Sequence, residues 1–490
     1  MCLENLNMFL RIAKTSLLLM VFSLCYIQPF VTIFNFQIPP TEFIFLFASA
    51  FWLLSILAKQ TELRFHRFFL ILLFYFVAML ISAFLSENRQ ISFIKLGGEI
   101  YLLCLPVLIF NLVETKEELK RLVLVWICGT GFVLLVGILT LCLFYLSRGH
   151  WLLNYVNYSF GAVPVGNYPR LRLNFLSSSL LCNYLSVSFS LLLVAAKMNW
   201  IKKSVFLIFA PLIVLIAVFT ISSGLGGFAL VVGLWIFFNW RSKHKLFAGL
   251  SLGGGILTAV LFWAMNFIAL QPHSTASYTF NIFGYKFYPS PRLMVWEASL
   301  RTFQENLIFG RGVGQDSCQV IFQNTDGGFS TLTDAHNIFL SVASQEGIFG
   351  LAAIVLIIFY LLKENLPVEF SPDKSSIVKT GLWTAFLSAF VYQGLVGSFE
   401  DARHLWVLIG IMLCANELTH RPEQRFAHFS GSVPAHLRFF GEGGFDDRGD
   451  AQRNFRQALG NRDDRFFKNR FDRLRNSGAR TEIERVRAGD

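Results

Sequence analysis

Charge is scarce in this sequence. Asp, Glu, Lys and Arg make up 15% of its 490 residues, against about 25% in a soluble domain. That excludes a soluble globular chain of ordinary composition. Cysteine is scarce where it would matter. Of the eight, Cys25, Cys104, Cys128, Cys142, Cys182 and Cys414 fall in apolar stretches, and Cys2 is at the start. Only Cys318 lies in the large polar segment, which argues against a disulfide framework there. No CxxC or Cys/His metal spacing occurs, so neither a metal nor another cofactor is expected. No A-x-A site follows the first apolar run, so it reads as a retained span. The apolar runs hold almost no ionisable side chains, which argues against a proton pump or ion transporter. No repeat of fixed period is present.

What is there is hydrophobic: 54% of the residues, with 54 Phe among them. A bilayer core needs about 20 apolar residues per helix, and backbone in lipid must pair internally. The pattern predicts an all-α integral membrane protein. Its twelve expected spans are 17–34, 42–58, 68–85, 99–113, 122–146, 174–196, 204–221, 225–240, 246–270, 338–362, 380–398 and 404–418. The net charge of +11 follows from basic loops and a basic tail, and no nucleic-acid-binding fold is recognisable. Lys59, Arg64, Arg67, Lys116, Lys120, Arg121, Lys202, Lys203, Lys243 and Lys363 fall in loops on one side. By the positive-inside rule that side is cytoplasmic. Both termini are then expected inside, and a large loop, 271–337 between the ninth and tenth spans, outside. The membrane domain is expected over 1–418. Residues 419–490, rich in Arg, Asp, Gly and Phe, read as a disordered cytoplasmic tail.

Chemistry is expected in the polar stretch 291–347. Charges gather at the outer membrane edge: Arg170, Arg172, Arg292, Arg301, Arg311, His336, Asp401 and Arg403. Arginine offers a planar fork of donors that suits phosphate oxygens. Interfacial anchoring is the plain alternative. Leu293, Trp296, Leu300 and Phe303 at helical spacing predict an amphipathic helix with Trp296 as interfacial anchor. Glu297 and Arg301 can pair within it. Gly310, Gly312 and Gly314 allow a tight loop, although no Lys-Ser/Thr follows to make a phosphate cradle. Asp334 is read as the N-cap of the tenth span, which puts His336 and Asn337 in its first turn. A helix N-terminus disfavours imidazolium, so His336 suits a general base, or is an ordinary interfacial histidine.

Arg292, Trp296, Gly310, Gly312, Gly314, His336-Asn337, Gly347 and Gly350 together resemble the O-antigen ligase and polymerase superfamily of bacterial envelope enzymes. RLRLNFLSSSLLCNYLSVSFSLLL and GSFEDARHLW are similar to its sixth-span and last-span regions. Two positions depart. Ser222-Ser223-Gly224 stands where members often have Ser-Arg-Gly, and Leu307 stands where a proline is usual. Arg170, Arg172 or Arg403 could supply the missing charge. The resemblance implies a GT-C-like, metal-independent glycosyltransferase in the bacterial inner membrane. Its donor would be an undecaprenyl-diphosphate-linked glycan and, for a ligase, its acceptor lipid A–core. His336 would be the base, supported by Asn337, Asp334 and Trp296. Arg292, with Arg170, Arg172 and Arg403, would hold the diphosphate. A polysaccharide polymerase and a protein O-oligosaccharyltransferase of the superfamily are the alternatives, and a transporter or flippase stands outside it.

Overall fold

A computed structural model describes residues 8–26, 31–33, 36–146, 158–162, 165–222, 224–239, 280–282, 285–287, 292–323, 329–366, 374–396 and 402–431. The expected span 246–270 lies outside these residues, as does nearly all of the expected tail. Cα packing divides the chain into 1–422 and 423–490. Helices follow the apolar runs. They are α1 (Met8–Ser23), α2 (Pro40–Leu57), α3 (Phe68–Leu85), α4 (Arg89–Leu112), α5 (Lys116–Leu146), α6 (Ser178–Lys197), α7 (Lys203–Phe219) and α8 (Gly224–Asn239). After α9 (Arg292–Glu305) come α10 (Ile338–Asn365), α11 (Lys374–Val396) and α12 (Arg403–Gly431). Among the described residues, four antiparallel hairpins punctuate them: β1–β2 (Val31–Ile33, Phe36–Ile38), β3–β4 (Tyr158–Ala162, Val165–Leu171), β5–β6 (Phe280–Ile282, Tyr285–Phe287) and β7–β8 (Val320–Gln323, Phe329–Leu332). Among the described residues, six helices (α2, α3, α4, α5, α6 and α10) are long and apolar enough to cross a membrane, and α7 and α8 are shorter apolar helices. This is a multi-pass helical membrane protein.

The first span differs from expectation. Helix α1 lies earlier in the chain than 17–34, and the β-branched run Val31–Ile33 pairs as a strand. Lys14 can sit inside α1 because its ammonium reaches Glu118 at 2.7 Å and Glu114 at 3.3 Å. Helix α4 also begins earlier than 99. The Asn88 side chain caps it by accepting from Ile91 N, and Lys95 pairs with Glu99 one turn on at 3.1 Å. The break expected around Ser222–Gly224 is present between α7 and α8.

Helix α6 is the hub. It packs against α5, α7, α8 and α11, and its small polar residues bond the neighbours. Ser188 and Ser190 each accept an indole N–H, from Trp126 and Trp235, both at 2.9 Å. Asn183 donates to Ala389 O at 2.9 Å and lies 2.6 Å from buried His404. Such bonds hold helices together where apolar burial cannot, because lipid is as apolar as a core. The outer faces of α2 and α3 are apolar and uncovered, with Leu46, Leu57 and Leu70 exposed, as a hydrocarbon-facing surface should be.

Candidate active site

Helix α10 is two helices in one. Its dihedrals leave the helical region at Gly347, where φ is 69° and ψ −158°. The half before the break, 338–346, is mostly buried and rich in polar residues, including Ser341, Ser344, Gln345 and Glu346. The break exposes carbonyls that need donors. The glycine loop supplies them. Arg311 N donates to Ser344 O and Gly312 N to Gln345 O, both at 2.9 Å. Gly314 N donates to Gln345 Oε1 at 2.9 Å, and Ser82 Oγ donates to Gln345 O at 2.7 Å. The approach is close enough to require glycine: a Cβ on Gly310 would lie 2.2 Å from the Gln345 carbonyl carbon, and one on Gly347 would lie 2.3 Å from Ile308 O. The loop is therefore a clamp on the broken helix, and these N–H groups are not offered to phosphate.

The cap of α10 is Asn337 rather than Asp334. The Asn337 side chain accepts from Phe339 N at 3.0 Å and Leu340 N at 3.3 Å. His336 therefore lies before the helix, outside its first turn, in a left-handed conformation with φ 48°. A non-glycine residue held there is strained, and such strain gathers at functional positions. Asp334 holds this turn in another way. One oxygen accepts from His336 N at 3.1 Å and from Ser341 Oγ at 3.2 Å. The other lies 2.9 Å from His336 Nδ1. An Nδ1–H directed at that carboxylate leaves the Nε2 lone pair to take a proton. The ring remains 41% exposed, open to a substrate.

Helix α9 approaches the same turn. Trp296, expected as an interfacial anchor, donates Nε1 to Ala335 O at 3.0 Å. The expected stripe through Leu300 is rotated: Leu300 is exposed, and Val295 and Ser299 are buried, with Val295 packed beside Cys318 and Val320. The Glu297–Arg301 pair forms at 2.7 Å. Arg292, one turn before Trp296, is partly buried. Burial pushes its guanidinium below the ordinary arginine value, Tyr392 and Asp334 oppose the shift, and Arg170 adds to it. Tyr392, Asp334 and Arg170, from three other segments, thus each lie within electrostatic reach of Arg292.

The three other predicted arginines separate. Arg170, on β4, donates Nε to Thr220 O at the α7–α8 break, 3.3 Å away. Arg172 follows β4 and is partly buried. Arg403 pairs with Glu42 at 2.6 Å, which engages it at the start of α2. At the break, Ser222 Oγ lies 3.0 Å from Ser179 Oγ and 3.1 Å from the Tyr392 hydroxyl. Leu173 and Ile221, beside Arg172 and Ser222, are also left-handed, at φ 47° and 41°. Tyr392 was not foreseen; it sits in an apolar span and nothing local marks it. Among the described residues, no three His, Cys, Asp or Glu side chains converge as a metal site.

Residues 206–355 match the family model described as O-antigen ligase. The matched stretch contains Arg292, Trp296, the clamp glycines, the His336 turn and Gly347, and the resemblance read from those motifs is borne out there. Arg170, Tyr392 and Arg403 fall outside it. No curated protein matches the chain.

Proposed function

With residues 206–355 identified as an O-antigen ligase region, we propose that this chain transfers a glycan from undecaprenyl diphosphate to an acceptor hydroxyl on lipid A–core. The reaction takes place at the periplasmic face of the inner membrane. The observation that carries the reading is the convergence on one turn. His336 is oriented by Asp334 at 2.9 Å, and Arg292 lies within the field of that same carboxylate.

The chemistry follows from those positions. His336 Nε2 takes the proton of the acceptor hydroxyl. The acceptor oxygen attacks the anomeric carbon of the donor sugar. The bond from that carbon to the diphosphate oxygen breaks, and its electron pair leaves with the diphosphate. Arg292 meets the charge that develops there, a stabilisation prepared before the reaction begins. The partly buried setting strengthens the interaction. No metal takes part in these steps. The reading takes twelve spans with both termini cytoplasmic, as the Lys and Arg distribution supports, and on it the 271–337 loop, and so the turn, faces the periplasm.

The test is transfer by purified protein from an undecaprenyl-diphosphate-linked glycan to lipid A–core, with and without chelator. Transfer in chelator is expected. Loss of activity in chelator would overturn the metal-free mechanism. A deletion strain should accumulate lipid-linked polymer and lose capped core. Core capped by a single repeat unit would indicate a polymerase instead.

A further inference from the structure

We propose that Leu307, Ile308 and Phe309, which lie within the stretch expected as an outer loop, are inserted in the bilayer, where phospholipid acyl chains of the nearer leaflet cover them. This anchor requires only that α3 and α10 cross the membrane. It does not depend on the glycan chemistry above.

The three side chains follow the end of α9 and are left open by the protein. Leu307 is 53%, Ile308 54% and Phe309 37% exposed. Three adjacent large apolar side chains facing water would forgo the free energy of burial, and contiguous apolar surface of this kind marks a contact with something apolar. Charged pairs flank them on both sides in the chain. Arg301 meets Glu297 at 2.7 Å before them, and Arg311 lies 3.8 Å from Glu87 after them. The apolar run is thus a short band between polar groups.

That band is continuous with a face that lipid already covers. Ile348 N donates to Leu307 O at 2.9 Å. The rings of Phe309 and Phe349 stack, with centroids 5.8 Å apart and planes inclined by 20°. Ile348 and Phe349 are exposed and open the part of α10 that lies beyond the break at Gly347. Residues from two segments therefore make one apolar surface on the side of a membrane-crossing helix.

Depth decides what covers it. Helices α3 and α10 pack together and run antiparallel. Ser82 Oγ donates to Gln345 O at 2.7 Å near one end of the pair, and Arg67 Nε donates to the Tyr360 hydroxyl at 2.9 Å near the other. Helix α3 has 18 residues and no charge, so its length of about 27 Å nearly matches the hydrocarbon thickness. Ser82 lies about 5 Å inside the end of α3 at Leu85. Gln345 is level with Ser82, and Ile348 is deeper. Leu307, bonded to Ile348, therefore lies below the edge of the hydrocarbon. Backbone at that depth has to find partners within the protein. Leu307 O has Ile348 N, and Asn306 O accepts from Gly310 N at 2.9 Å. One end of α9 is thus pinned in lipid while the other carries Arg292, which sets how that arginine stands above the acyl chains.

The experiment uses full-length protein in phosphatidylcholine vesicles. A genetically encoded fluorescent amino acid is placed at position 308 or, separately, at 304, an exposed Gln of α9. The quenchers are iodide, added on both sides of the membrane, and a nitroxide attached near the top of a lipid acyl chain. Relative to 304, position 308 should be quenched about threefold more by the nitroxide and about threefold less by iodide, as insertion by several ångströms implies. Position 307 repeats the measurement and reads the same surface if the label at 308 disturbs folding. Equal iodide quenching at 308 and 304 overturns the anchor. Protection of 307 and 308 from both quenchers would mean that protein, such as a second copy of the chain, covers the band, and overturns it as well. Neither result depends on whether the chain transfers a glycan, so the anchor and the functional reading fail separately.

Discussion

The indole nitrogen of Trp296 lies 3.0 Å from the carbonyl oxygen of Ala335. The helix that carries Arg292 therefore also grips the turn that carries His336. The separation of Arg292 and His336 is set by one helix and one hydrogen bond. Removing that bond should disturb geometry more than stability. Trp296→Phe should cost about 1 kcal/mol of folding free energy. Transfer should drop about tenfold or more, because a small misplacement of reacting groups is expensive. Parallel measurement of thermal stability and transfer rate checks this, and an unchanged rate would detach α9 from the site.

His336 is expected to be the base. His336→Ala should lose about 10²–10⁴-fold in transfer, with normal abundance and unchanged binding of the lipid donor. Near-wild-type turnover would remove it from the mechanism. Asp334→Asn keeps the shape of the partner but not its charge. It should reduce kcat while leaving donor affinity within a few-fold. An unchanged kcat in Asp334→Asn would reduce Asp334 to a backbone prop.

Arg292→Lys preserves one positive charge and loses the fork. Transfer should fall clearly while the protein still inserts and accumulates. Full activity in Arg292→Ala would take the residue out of the donor site.

Gly347→Ala tests the clamp. A Cβ there meets Ile308 O at 2.3 Å, at a φ of 69°. The substitution should cost about 1–3 kcal/mol from strained backbone alone. Thermal melting in detergent reads the loss, and an unchanged melting temperature would show that the break tolerates a side chain.

Membrane sidedness follows from the Lys and Arg distribution. An impermeant maleimide applied from the periplasm should label Gln319→Cys, which is exposed, in intact cells. It should miss Lys363→Cys. Native Cys318 is 2% exposed, and burial raises its thiol above the ordinary value, so it adds little background. The reverse labelling pattern would invert the orientation.

Most helices were legible because hydropathy alone decides them. Phe68–Leu85 is apolar almost throughout and lies where expected. What hydropathy could not weigh were the charges that partners neutralise. Lys14 lies before the expected first span of 17–34, yet it sits within α1, matched by Glu118. Capping was ambiguous for a local reason. Asp334 and Asn337 are both good caps, and only the bonds to Phe339 N and Leu340 N select the second. Arg292 and His336 could be found from their motif. The electrostatic reach of Arg292 to Arg170 and Tyr392 could not, since it joins segments far apart in the chain. Left-handed backbone was readable at Gly310, where glycine allows a tight loop, and was not read at Gly347, which fell inside an expected span. At Ile221 and His336 it was hidden, because nothing in an isoleucine or histidine suggests it.

The break in α10 has an implication for how this sequence can drift. After Gly347, residues 348–365 extend about 27 Å, close to the ~30 Å hydrocarbon thickness. That part alone can traverse the bilayer. Its lipid-side positions, Ile348, Phe349, Val355, Leu356 and Phe359, answer only to hydropathy. Residues 338–346 answer to directed bonds with the clamp, Asp334 and Ser317. The broken helix thus contains two mutational regimes, divided at a single glycine. Exchanging any of those five aliphatic or aromatic residues for another should be nearly silent, and equally conservative exchanges at Ser341, Ser344 or Gln345 should not be.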